Sequence, residues 1–300
     1  MKELISELSQ AGVCFKTDEP MKNHTTFKTG GNASLFICPR GEQELKTALK
    51  IIHGKGKKPF VLGNGSNLLV SDDGIADRPV IYIGDGFSSL ELIDETTVKV
   101  GAGSSLSSLC RFAHENSLSG LEFAFGIPGS CGGAAYMNAG AYGGEMKDVT
   151  FRCNHIDFEG NEGFFEAGEL DFGYRHSIYS GKDYVITSIV LNLKKGDKDE
   201  IYAQMKELLQ RRRDKQPLEY PSAGSVFKRP EGYFAGALIE QSDLKGKRIG
   251  GAMVSEKHAG FIINYDCATT RDVLDLVKHC QETVMEKFGV ELEMEIKTVN

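Results

Sequence analysis

The sequence predicts an α+β fold in two parts, and three observations predict it. Helix-period and strand-period stretches alternate over the first half of the chain. Two glycine-rich loops interrupt that half, at 63–68 and 126–144. A charged helix at 197–215 is then followed by Pro217, Pro221 and a new compositional regime.

Taken in order, residues 1–12 read as an amphipathic helix stopped by Gly12. After a polar patch at 23–33 comes a short strand at 35–38. A helix over 41–53 follows, with apolar residues at 45, 48, 49 and 52 on one face. A strand from Pro59 runs into the first glycine loop, and further strands follow at 80–83 and 96–100. Residues 104–116 read as a helix with Leu106, Leu109, Cys110 and Ala113 on one side. From Val149 the pattern is strand-like and ends in a long β-rich run at 184–193. Between them lies a polar cluster bracketed by aromatics, Phe172 to Ser177.

The second part holds a short helix at 234–241 and a clear amphipathic helix at 270–288, with Thr269 and Asp272 offering a capping box at its start. A final strand is expected over 291–299, with Leu292, Met294 and Ile296 on one face. Glu291, Glu293, Glu295 and Lys297 share the other. The expected division is 1–200, in subdomains of about 1–58 and 59–200, and 213–290. The last strand, 291–300, is open to returning to the first domain.

The second loop, GIPGSCGGAAYMNAGAYGG, has seven glycines among its 19 residues. It is too small-sided to form a core and too apolar for a spacer. Such a backbone can bring its amides close to a flat polar ligand, because glycine lacks a Cβ and tolerates positive φ. The first loop, GNGSN, is flanked by apolar β-formers and reads as strand, tight loop, strand. Successive amides in such a loop make an anion-binding concavity; a plain hairpin turn is the alternative. Leu68-Leu69-Val70 follows directly, so the loop does not open a helix as a dinucleotide fingerprint must, and no phosphate-loop lysine pattern occurs. The half suits a nucleotide- or flavin-binding domain.

A net charge of −7 argues against a dedicated nucleic-acid binder. No apolar run approaches membrane-spanning length and the N-terminus is not a signal peptide, so no membrane contact and a cytoplasmic location are expected. The seven cysteines form no CxxC pair and no zinc-ligand spacing, so reduced thiols and no metal are expected. Cys131 reads as a small filler.

The strings GNGSNLL, GIPGSCGGAAYMNAGAYGG, YRHS, SAGSVF and LEMEIK, in this order and spacing, resemble the UDP-N-acetylenolpyruvoylglucosamine reductases. The resemblance runs from about Asn23 to Glu295, and the length is similar to the shorter, type II members. It implies an FAD-binding domain of the vanillyl-alcohol-oxidase (PCMH) type in two subdomains, plus a smaller α+β C-terminal substrate-binding domain. It implies non-covalent FAD, NADPH as hydride donor, and reduction of the enolpyruvyl ether of UDP-N-acetylglucosamine to UDP-N-acetylmuramate for peptidoglycan. A monomer is expected. A flavin oxidase or dehydrogenase of the same fold, or a non-catalytic nucleotide-sugar binder, remains open at this point.

The residues carried over are as follows. Gly63, Asn64, Gly65, Ser66, Asn67 and Leu68 in the first loop would hold the flavin. In the second loop the same is implied for Gly126, Ile127, Pro128, Gly129, Ser130, Gly132, Gly133, Asn138, Ala139 and Gly140. Ser225 would donate the proton, Arg175 would bind the substrate carboxylate, and Glu295 would polarise the carboxylate or enol. Periodicity leaves Glu291, Glu293 and Glu295 equivalent, and only the motif selects Glu295. Met294 departs from the family's commoner Pro or Arg. Tyr174, Lys228, Arg229, Lys257 and His258 are the implied substrate contacts.

Overall fold

The structure is a computed structural model describing residues 1–300. By contact the chain divides into two compact units. Unit 1 is Met1–Thr17, Leu35–Asn64 and Asp77–Arg211; unit 2 is Asp18–Ser34, Gly65–Ala76 and Arg212–Asn300. Composition suggests contiguous parts, whereas the units interleave: residues 18–34 and 65–76 belong with the C-terminal part. The reason is apolar, since Phe27 and Leu69 are buried in the C-terminal core rather than the N-terminal one. Seven helices are present: α1 Lys2–Gln10, α2 Glu42–Gly54, α3 Leu106–Glu115, α4 Cys131–Tyr136, α5 Lys198–Lys215, α6 Ala235–Gln241 and α7 Thr270–Phe288.

Unit 1 is built on an antiparallel sheet in the order Glu162–Glu166, Thr150–Asp157, Tyr184–Asn192, Thr97–Gly101, Leu90–Leu92. The edge strand Leu90–Leu92 was not legible: it is three residues long and half-exposed or exposed. Tyr184–Asn192 is central and buried over residues 185–191, which is why it reads as a continuous apolar run without alternation. Its one polar pair is satisfied, Thr187 Oγ1 donating to Asn154 O at 3.5 Å and Ser188 Oγ accepting from Asn154 Nδ2 at 2.9 Å.

A second, parallel pairing joins Val80–Tyr82 to Phe36 and Ile37 on one side and to Phe60–Leu62 on the other. α2 buries Leu45, Ala48, Leu49 and Ile52, and α3 buries Leu106, Leu109, Cys110 and Ala113, both at helical spacing. Ser105 caps α3, its side chain accepting from Ser108 N at 3.0 Å.

Unit 2 has a three-stranded antiparallel sheet, Arg248–Ile249, Ala252–Val254 and Ile262–Asn264. α7 shares its core, burying Val273, Leu276, Val277, Cys280 and Val284. The closing strand is shorter than the sequence suggests. Only Lys297–Val299 is a strand, parallel to Leu68–Val70, and residues 291–296 carry a single bridge, Met294 to Phe227. The alternating charges do not share one environment either: Glu291 and Glu293 are exposed, whereas Glu295 is 8% exposed.

Candidate active site

The first glycine loop joins Phe60–Leu62 to Leu68–Val70, as its flanks predict. Its turn needs a left-handed residue, and Gly65 supplies it at φ +60°. A Cβ at Gly65 would lie 2.1 Å from the carbonyl oxygen of His24, so no other residue fits. The amides of Gly63, Asn64, Gly65, Ser66 and Asn67 make no hydrogen bond to backbone or side chain within the protein. Five successive unengaged donors on a short loop suit an anionic diphosphate, the group that a flavin dinucleotide would present. The wall behind Gly65 is His24 to Thr26, where Thr26 N donates to Gly65 O at 3.2 Å. The sequence marked that stretch only as polar.

The second loop behaves differently. The expectation was a run of bare amides; the structure forms the short helix α4 from Cys131 to Tyr136, with Ser130 as its cap. Cys131 N donates to Ser104 O, Gly132 N to Ala102 O, Gly133 N to Ser130 Oγ and Ala134 N to Ser130 O. Those amides are engaged within the protein. Gly132 is there for close packing, since a Cβ would come 2.8 Å from the Ala102 Cβ. Ahead of the helix, Gly126, Ile127, Pro128 and Gly129 form an irregular turn. Its Pro128 carbonyl accepts from Asn64 Nδ2 at 3.2 Å, joining the two loops within unit 1. Cys131 is fully buried, and burial pushes its thiol pKa up, as a filler requires.

Beyond the helix, Ala139 N donates to Ala134 O, and Gly140 pairs with Glu145 in a small hairpin, Gly140–Ala141 with Gly144–Glu145. Asn138 is 1% exposed, with its side chain bonded to Glu145, Gly173 and Lys147. Tyr174 and Arg175 lie on the turn closed by Gly173 and His176. Tyr174 is exposed, and the Arg175 guanidinium sits 5.3 Å from its ring centroid.

Ser225 and Glu295 both lie in unit 2, on paired backbone. Val226 N donates to Gly260 O at 2.9 Å, Glu295 N to Val226 O at 2.7 Å and Lys228 N to Glu293 O at 2.8 Å. The stretch 225–228 is thus held between 260–261 and 293–295. Arg175 belongs to unit 1.

The expected basic residues are divided. Lys228 pairs with Glu293 directly across the strand, Lys257 lies 3.6 Å from Glu219, and Arg229 stacks on Phe234 at 4.1 Å. His258 is no cation at neutral pH. Burial, chiefly, lowers its pKa, with Lys245 and Lys215 adding to the effect, and its Nδ1 accepts from Gly260 N at 3.1 Å. No group of three or more His, Cys, Asp or Glu is placed to hold a metal ion, and no helix is long and apolar enough to cross a membrane.

Residues 33–160 match the family described as FAD binding domain, and residues 216–299 match UDP-N-acetylenolpyruvoylglucosamine reductase, C-terminal domain. A UDP-N-acetylenolpyruvoylglucosamine reductase of Alkaliphilus oremlandii is 49% identical over 94% of this chain and 92% of its own length. The chain belongs to the UDP-N-acetylenolpyruvoylglucosamine reductase family. Another relative of that name, from Agathobacter rectalis, is 46% identical over 100% of this chain and 98% of its own. The crystal structure of the Thermus caldophilus UDP-N-acetylenolpyruvylglucosamine reductase superposes with a TM-score of 0.81 at 37% identity, covering 96% of this chain and 99% of that one. The α+β fold, an FAD-binding domain followed by a reductase C-terminal domain, is that of the reductase family.

Proposed function

We infer that the chain is an FAD-dependent UDP-N-acetylenolpyruvoylglucosamine reductase of peptidoglycan precursor synthesis, reducing the enolpyruvyl ether to UDP-N-acetylmuramate. The observation that carries this reading is the first glycine loop, five unengaged amides, in a chain of this family along nearly its whole length. FAD, held by the two glycine loops, would supply the hydride chemistry of the reduction, with NADPH as the reductant.

The chain's own residues do the rest. The amides of Gly63, Asn64, Gly65, Ser66 and Asn67 would hold the diphosphate, and the second glycine loop, Asn138 apart, would line the flavin. Arg175 binds the substrate carboxylate through its planar fork. As hydride adds to the vinyl carbon, negative charge develops on the neighbouring carbon and its carboxylate, where the Arg175 guanidinium stabilises it and Glu295, as the neutral acid, donates a hydrogen bond to it. Ser225 Oγ then gives its proton to that carbon. A serine hydroxyl is a weak acid, and it serves here because the acceptor is a strongly basic carbanion. Lys228, Arg229 and Lys257 meet the substrate phosphates. The protein acts as a cytoplasmic monomer, and residues 213–290 form the substrate-binding part.

Two half-reactions test this. Under anaerobic conditions NADPH should bleach the flavin, and the enolpyruvyl sugar nucleotide should restore its colour. Ser225→Ala should keep flavin and bleaching but restore colour slower by about 10² to 10⁴-fold. Recovery at the parent rate would show that Ser225 is not the proton donor.

A further inference from the structure

Asn138 lies on the second glycine loop, where a flavin contact is the first expectation, yet its side chain has no donor left for one. Nδ2 gives one hydrogen to Glu145 Oε2 at 2.8 Å and the other to Gly173 O at 3.0 Å. Oδ1 accepts from Lys147 N at 2.9 Å. The amide orientation is forced, because the flipped form would aim its oxygen at a carboxylate and a carbonyl and its NH₂ at an N–H. The residue is 1% exposed and its backbone is left-handed at φ +43°, a conformation asparagine tolerates better than most.

What these bonds hold is the Arg175 turn. Gly173 and His176 exchange backbone hydrogen bonds at 3.1 and 3.3 Å, and Arg175 stands between them at φ +54°. A non-glycine residue there costs backbone energy and persists only where its surroundings fix it. The Gly173 carbonyl is fixed from behind by Asn138. The other Asn138 hydrogen goes to Glu145, whose carboxylate pairs first with Lys147 Nζ at 2.9 Å and also feels the Arg175 charge. One buried amide therefore grips both the backbone that carries Arg175 and the carboxylate that attracts its guanidinium. We propose that Asn138 is a positioning residue for substrate reduction, setting the direction of Arg175 without touching flavin or substrate. This rests on the reading of Arg175 as the carboxylate-binding residue.

The test uses the flavin-loaded enzyme and two replacements that tolerate a left-handed backbone, Asn138→Gly and Asn138→Asp. Both should retain flavin and its bleaching by NADPH at parent rates. Both should lose about ten-fold or more in kcat/KM for the enolpyruvyl sugar nucleotide, with KM raised. In the Arg175→Ala background, Asn138→Gly should add less than about two-fold, since the residue acts only through Arg175. Loss of flavin in both variants, an unchanged kcat/KM, or losses that multiply with Arg175→Ala would each overturn the proposal. If Arg175→Ala itself reduces the substrate normally, the failure lies in the reading of Arg175 instead, and the two outcomes are distinguishable.

Discussion

His258 packs edge-on against Phe261, ring centroids 5.0 Å apart, with Nδ1 accepting a backbone proton. His155 in unit 1 is the parallel case. It packs against Phe165, Tyr179 and Tyr184, and its Nδ1 lies 3.0 Å from the Tyr179 hydroxyl. That hydroxyl also reaches the Cys153 carbonyl at 3.2 Å, which can only accept, so the tyrosine proton goes there and His155 Nδ1–H is a donor. Burial lowers both histidine pKa values below the ordinary 6.5, opposed at His155 by Asp157. The unfolded chain therefore takes up these protons first. Stability is at its full value above the ordinary histidine pKa and falls as pH drops through the window down to the depressed folded values. The urea midpoint should decline from about pH 7.5 to about pH 5.5, and His155→Phe, which keeps the ring packing, should decline less. A variant that declines as steeply as its parent would sink this assignment. Glu295 shows what was legible at this scale: the alternation gave three equivalent glutamates, and in the structure burial separates one of them, because residues 291–296 are not a regular strand and two-residue alternation does not hold there.

At the scale of the element, α7 was readable from its apolar stripe and its capping box, and both are present: Thr269 Oγ accepts from Asp272 N at 3.0 Å and Asp272 Oδ2 from Thr269 N at 3.0 Å. Not readable was the rest of its N-terminus. Asp72 accepts from Thr270 N at 2.8 Å and Arg271 N at 3.1 Å, nearly 200 residues away in sequence. A helix leaves its first amides without intrahelical partners, and here one distant carboxylate meets two of them while complementing the dipole. Local pattern holds no trace of such a partner. Thr269→Ala should cost about 1 kcal/mol in urea unfolding, and Asp72→Ala about 1–2 kcal/mol, the larger because two donors lose an ionised acceptor. Equal stability of Asp72→Ala and parent would show that water caps those amides as well. The glycine loops divide the same way. Flanking β-formers placed the first loop correctly. In the second, small residues gave no periodicity, so the six-residue helix packed on Ala102 went unseen.

Across the whole molecule, the compositional break near Pro217 is visible in the sequence, but the return of 18–34 and 65–76 to the second core is not. It is produced by pairings that no local window contains. Asn264 Nδ2 donates to Phe27 O at 3.2 Å, Thr26 Oγ1 to Ser222 O at 2.7 Å and Thr270 Oγ1 to Val70 O. The closing strand adds the tightest of these. Lys297 N donates to Asn67 O at 2.9 Å, Ser71 N to Val299 O at 2.7 Å, and Asn67 Nδ2 to Glu295 O at 3.2 Å. Residues 295–299 thus brace Asn67 and the strand leaving the first glycine loop, so on the proposed reading of that loop their loss should be felt as loss of flavin. Val299 is 3% exposed and Thr298 is exposed, which gives a matched pair. Val299→Glu buries an unpaired charge and should cost about 3 kcal/mol or more, lowering both the thermal midpoint and the flavin retained after desalting. Thr298→Glu should change neither. Full flavin retention in a destabilised Val299→Glu would mean that the loop keeps its shape without the strand beside it, and that the bracing ends at Asn67.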